Sequence, residues 1–108
     1  MATFNDFLKA LEEGVKKLAK ELFDGSEAEA LADMKAFLDK SKKDLERWTK
    51  LLAIGKITGR DFSDLVQARK ALAELHALTQ AGVVLNKLER FRSGIINLVV
   101  ETAFKMFL

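Results

Sequence analysis

Apolar residues recur at helical spacing from the start of the chain. Phe4, Phe7, Leu8, Leu11, Val15, Leu18, Ala19 and Leu22 fall within an arc of about 120°, and Lys9, Glu12, Glu13, Lys16, Lys17 and Lys20 lie outside it. Thr3, with Asp6 three residues on, gives an N-cap signal. Asp24-Gly25 ends the run, because Gly25 can take the left-handed geometry favoured just past a helix. Ser26 with Glu29 then reads as a capping box opening a second helix. Along it Leu31, Leu38, Leu45 and Leu52 repeat every seven residues, with Met34, Ser41 and Trp48 at the alternate positions. That spacing predicts coiled-coil-like packing over a length too short for a coiled coil proper.

Gly55 closes the second helix. Residues 55–62, GKITGRDF, form the clearest turn: Thr58 can cap while Asp61 reaches back. Ile57 before the cap and Phe62 at the fourth helical position make a hydrophobic staple. A third helix is predicted over 59–81 and a fourth over 83–108, with the tract Thr79-Gln80-Ala81-Gly82 marking the break. One continuous helix is the alternative, since a single interior glycine costs only ~1 kcal/mol. The predicted fold is all-α, a single domain over 1–108. It is a three- or four-helix antiparallel bundle with helices about 3–23, 26–54, 59–81 and 83–108.

Residues 95–108, IINLVVETAFKMFL, depart from the one-sided pattern. Asn97, Glu101 and Lys105 occupy a strip about 80° wide and apolar residues cover roughly 240°, well beyond the ~100° stripe that suits a single core. Upstream, Val84, Leu85, Leu88 and Phe91 make an ordinary single face; after Gly94 a second face opens, formed by Ile96, Val100, Ala103, Phe104 and Phe107. One neighbouring helix cannot cover both faces. The second is expected to lie between subunits, with burial inside the chain's own bundle and contact with lipid as the alternatives.

Composition narrows the classes. Over 108 residues, 49% are apolar and 31% charged, which suits a folded globular chain. Cysteine is absent, so disulfide staples and thiolate metal sites are excluded, and proline is absent, so long helices run uninterrupted. The opening MATFNDFLKALEEG lacks the pattern of a secretory signal, and no stretch reaches the ~20 apolar residues of a membrane span; a cytoplasmic location is expected. The net charge of +2 is unevenly spread. Residues 1–34 hold four lysines against eight acids, and residues 35–60 hold eight basic residues against three acids. Those segments are expected to complement each other within the bundle or across a dimer.

Residues 45–72 contain Gly55, Ile57, Thr58, Asp61, Phe62 and Leu65 in the order helix, Gly-x-Ile-Thr turn, acidic-aromatic pair, leucine. This quarter of the chain resembles the short C-terminal helical hairpins called SHOCT domains, and the resemblance implies an oligomerisation or docking element. It departs from them in continuing for 36 residues past Leu72, where such hairpins usually end a protein.

Candidate chemistry is sparse. His76 is the single histidine, and on a continuous third helix Arg69, His76 and Gln80 share one strip between apolar flanks. Such a strip could line a small pocket, although a seam between two helices or an internal hydrogen bond is the simpler reading. No metal ligands accompany His76 at helical spacing, and no cofactor is implied. There is no nucleophile motif and no phosphate-cradling glycine loop, so an enzyme is not expected. Lys40, Lys43, Arg47 and Lys50 make a basic stripe opposite the apolar face of the second helix. Four phosphate contacts would bind nucleic acid weakly, and Trp48 points to the apolar side and offers no stacking platform; a solvated face is the simpler reading. Together these features predict a non-catalytic interaction or oligomerisation module with the C-terminal helix as its contact surface. Its partner would be a second copy or another helical protein. A peripheral membrane-binding protein is the alternative.

Overall fold

Two capping boxes set the frame of the chain. In the computed structural model, which describes residues 2–108, α1 (Phe4–Leu22) opens where the Thr3 hydroxyl accepts the Asp6 N–H at 3.1 Å and the Asp6 carboxylate accepts the Thr3 N–H at 3.1 Å. The Thr58 and Asp61 pair repeats this at 3.0 Å in both directions to open α3 (Gly59–Gln67). Between them runs α2 (Glu27–Ala53). A 3-10 turn (Lys70–Leu72), the short α4 (His76–Gln80) and the long α5 (Leu85–Phe107) complete the chain. The fold is all-α, a helical bundle, and no strand occurs among the described residues.

Cross-chain contacts fix the directions. Phe7 meets Phe107, Phe23 meets Phe91, and Phe62 meets Phe104. Asp33, Lys40 and Asp44 of α2 reach Ala77, Glu74 and Arg69 respectively, with one partner rising along the chain as the other falls. Hence α1 runs antiparallel to α2 and α5, and the segment from α3 to α4 runs antiparallel to both α2 and α5. The outcome is an up-down-up-down bundle about 42 Å long whose third member is broken.

The α1–α5 seam is close. A Cβ added at Gly94 would lie 2.5 Å from Leu18 Cδ2, and one added at Gly14 would lie 3.0 Å from Leu98 Cδ2. Each helix thus presents a gap where the other presents a leucine.

Three expectations need correction. Ser26 makes no capping hydrogen bond: after the left-handed Gly25 (φ +92) its ψ is 24°, whereas Thr3 and Thr58, both with ψ 166°, hold the extended geometry that aims the hydroxyl at the helix. Glu29 Oε2 is accordingly buried without a partner. The alternative of one helix through Gly82 also fails, because Gly82 turns the chain at φ +83. The third correction concerns 59–81, where the helix stops at Gln67.

The break in the third member follows from burial. On a straight helix Ala73 and Leu75 would lie about 200° apart and could not both face one core. In the structure Ala73 (0% exposed), Leu75 (2%) and Leu78 (0%) are all buried. Leu75 takes left-handed backbone geometry, φ 57° and ψ 45°, at a cost of about 1–2 kcal/mol for a residue with a side chain. Two hydrogen bonds offset it: the Asp33 carboxylate accepts the Ala77 N–H at 2.9 Å and the Leu78 N–H at 2.8 Å. Arg92 Nε donates to the Ala73 carbonyl at 2.7 Å from the other side.

One core position is unfavourable as it stands. Ser41 is fully buried on α2 and its hydroxyl has no hydrogen-bond partner. Ser41→Ala is expected to raise stability by about 1 kcal/mol, by removing an unpaired buried hydroxyl and improving helix propensity. Urea unfolding of the two proteins measures it; a loss of stability would mean that the hydroxyl has a partner after all.

Candidate interaction surfaces

The second face of α5 turns inward. Ile96 and Ala103 are buried in the core of the same chain, which removes them from any contact surface. The Phe104 ring packs on Phe62 of α3 at 6.4 Å between centroids, and Phe107 packs on Phe7 of α1 at 5.7 Å. Val100, Phe104 and Phe107 are half-buried against the core. The wide apolar arc is explained by position: α5 contacts α1, α2, α3 and the 3-10 turn, so neighbours on several sides cover it.

One open surface lies at the end of the bundle where α5 finishes. A groove of about 580 Å³ runs between the start of α1 and the last turns of α2 and α5. Phe4, Ala53, Met106 and Phe107 form its apolar walls, and Glu46, Thr49 and Lys50 its polar side. Ile54, next in sequence to Ala53, is 60% exposed, flanked along the chain by exposed Lys50 and Lys56. A second groove, about 330 Å³, separates α1 from α2; Leu8, Leu31, Met34 and Leu38 floor it, with Glu12, Lys35, Asp39 and Lys42 at the rim. The half-buried Leu31 and Leu38 are the first two leucines of the heptad series, while Leu45 and Leu52 are buried.

The polar strip of Arg69, His76 and Gln80 does not form. The break at 68–75 rotates its members apart: Arg69 joins Asp44 of α2 and sits 5.6 Å above the Trp48 ring, while His76 and Gln80 are exposed on α4. His76 Nε2 lies 2.9 Å from Glu74. The basic stripe is exposed, with Lys40 engaged by Glu74 and Arg47 by Asp44 at 3.0 Å. The acidic first segment faces the basic second one across the α1–α2 groove, where Glu12 shares the rim with Lys35 and Lys42, while the close ion pairs of α2 with other elements are those to Arg69 and Glu74. Among the described residues no cluster of three or more His, Asp or Glu could hold a metal, and no helix is long and apolar enough to cross a membrane.

Asp33 was not singled out by the sequence. It is 6% exposed and caps α4 from 44 residues away. The only local signal is a carboxylate between Ala30, Met34 and Phe37 on the side that proves buried.

Three carboxylates are shifted in the same direction. The Thr3 backbone N–H and hydroxyl hold Asp6 below the ordinary carboxylate range, and the Thr58 pair does the same for Asp61. Hydrogen bonding by Lys40 and then His76 lowers Glu74. A group whose pKa is lower in the folded than in the unfolded chain adds stability above its unfolded value and loses it as pH falls through the folded one. Thermal melts are therefore expected to be flat above about pH 5 with respect to these groups and to decline below about pH 4. Asp6→Asn combined with Asp61→Asn removes the two titrating groups and should flatten that decline; an unchanged slope would show that these carboxylates do not set it.

The chain matches no family model, no curated protein and no solved structure.

Proposed function

We propose that the chain is a non-catalytic helical interaction module that associates with a second copy of itself through the end of the bundle where α5 finishes. The observation that supports this reading is the open groove walled by Phe4, Ala53, Met106 and Phe107, into which none of their side chains packs fully. Covering such a surface with another apolar one is favourable at roughly 25 cal/mol per Å² of apolar area removed from water, before the entropic cost of association.

Ala53 is the cleanest site for a test, being exposed and outside the core, whereas Phe107 also supports Phe7. Light scattering of the unmodified protein at micromolar concentration is expected to give a dimer or larger. Ala53→Arg should give a monomer of unaltered helical content whose melting temperature no longer depends on protein concentration. A monodisperse monomer for the unmodified chain would sink the reading.

A peripheral lipid-surface role is the second reading, favoured by the placement of exposed Ile54 between Lys50 and Lys56. Binding of the unmodified monomer to anionic vesicles, abolished by Ile54→Glu, would select it.

A further inference from the structure

Residues 68–80 read ARKALAELHALTQ, without glycine or proline and dominated by strong helix formers. The backbone nevertheless leaves the helix at Gln67, passes through the 3-10 turn and takes Leu75 through the left-handed region. Gly25, Gly55 and Gly82 are the other left-handed positions among the described residues, and each of those is marked by the residue type that adopts the geometry freely. Leu75 carries no such mark.

Within the segment the broken form has only short-range hydrogen bonds, such as those of the 3-10 turn and of Thr79 to the Leu75 carbonyl; its long-range anchors come from α2 and α5. Asp33 of α2 takes the N–H groups of Ala77 and Leu78, and Arg92 of α5 takes the Ala73 carbonyl. Lys40 and Asp44, both on α2, take Glu74 and Arg69. Local preference and tertiary anchoring therefore point to different structures, which is the condition for a bistable element.

We infer that residues 68–82 form a two-state element, latched in the broken form by Asp33 and Arg92 and able to straighten into a continuation of α3. In the straight form Ala73 and Leu75 cannot both stay in the core, so α4 lifts from α2 and uncovers the strip bearing Ala30, Asp33 and Phe37. This strip is separate from the groove at the end of α5, and the inference stands whether or not that groove binds a second copy.

Hydrogen exchange on the full chain with Asp33→Ala tests it. Release of the latch is expected to slow exchange of the amides of residues 68–75 by roughly tenfold, as they enter a helix, with a parallel rise in helical circular dichroism. Faster exchange across 76–80 without any slowing at 68–75 would mean that α4 merely unfolds, and would overturn the inference. Should Asp33→Ala fail to fold, relaxation dispersion on the unmodified protein decides. Exchange confined to residues 68–82 is expected, with the minor population reduced roughly fivefold by Ala71→Gly, an exposed position that a straight helix would include. Absence of that exchange would equally overturn it.

Discussion

Phe91→Ala is expected to remove about 3–5 kcal/mol of stability, a large part of the 5–15 kcal/mol typical of a domain this size. The ring is fully buried and stands edge-on to Phe23, with centroids 5.2 Å apart and planes at 72°. Truncation removes the transfer free energy of the ring, leaves a cavity where α5 meets the end of α1, and loses the aromatic contact. Urea unfolding at constant m-value measures the change. Phe4→Ala provides the contrast, since Phe4 is only half-buried and its loss should cost clearly less. A cost below about 2 kcal/mol at Phe91 would show that the core closes over the gap and that the ring is not central to it.

The second large effect is expected at Asp33. Its carboxylate accepts two backbone N–H bonds in a nearly solvent-free setting, and hydrogen bonds to a charged acceptor contribute about 1.5–3 kcal/mol each. Asp33→Ala should cost about 2–4 kcal/mol, less than the simple sum, because the segment can relax once the acceptor is gone. Asp33→Asn keeps one carbonyl acceptor without the charge and should fall between the two. Equal stability for Asp33→Ala and the unmodified chain would mean that the two bonds do not hold α4.

Where the sequence could be read, a local rule and a tertiary need agreed. Phe7, Leu11 and Val15 repeat at helical spacing and are buried, and the boxes at Thr3 and Thr58 formed because extended backbone preceded each helix. Where the reading failed, burial overrode the local rule. Residues 68–80 are strong helix formers throughout, yet the core takes Ala73, Leu75 and Leu78 together, which no straight helix allows. Ile96 and Ala103 looked like a second, outward face because the wheel counts apolar residues without counting neighbours. A helix with chain on several sides needs that breadth simply to fill its own surroundings. Asp33 was illegible for a similar reason, since its partners are backbone groups far along the chain and no side-chain spacing announces them.

The pairing of Gly14 with Leu98 and of Gly94 with Leu18 joins the first helix to the last. A seam between the extremes of the sequence is a long-range contact, and its loop must close before the two leucines find their gaps. During synthesis α1 can pack first on α2, its other main neighbour, but the side of α1 that meets α5 stays uncovered until α5 has followed. The hairpin of α2 and α3, joined by the short turn at 55–58, can form in the meantime. Completion of the bundle therefore waits on α5, and until then one side of α1 remains an exposed apolar surface.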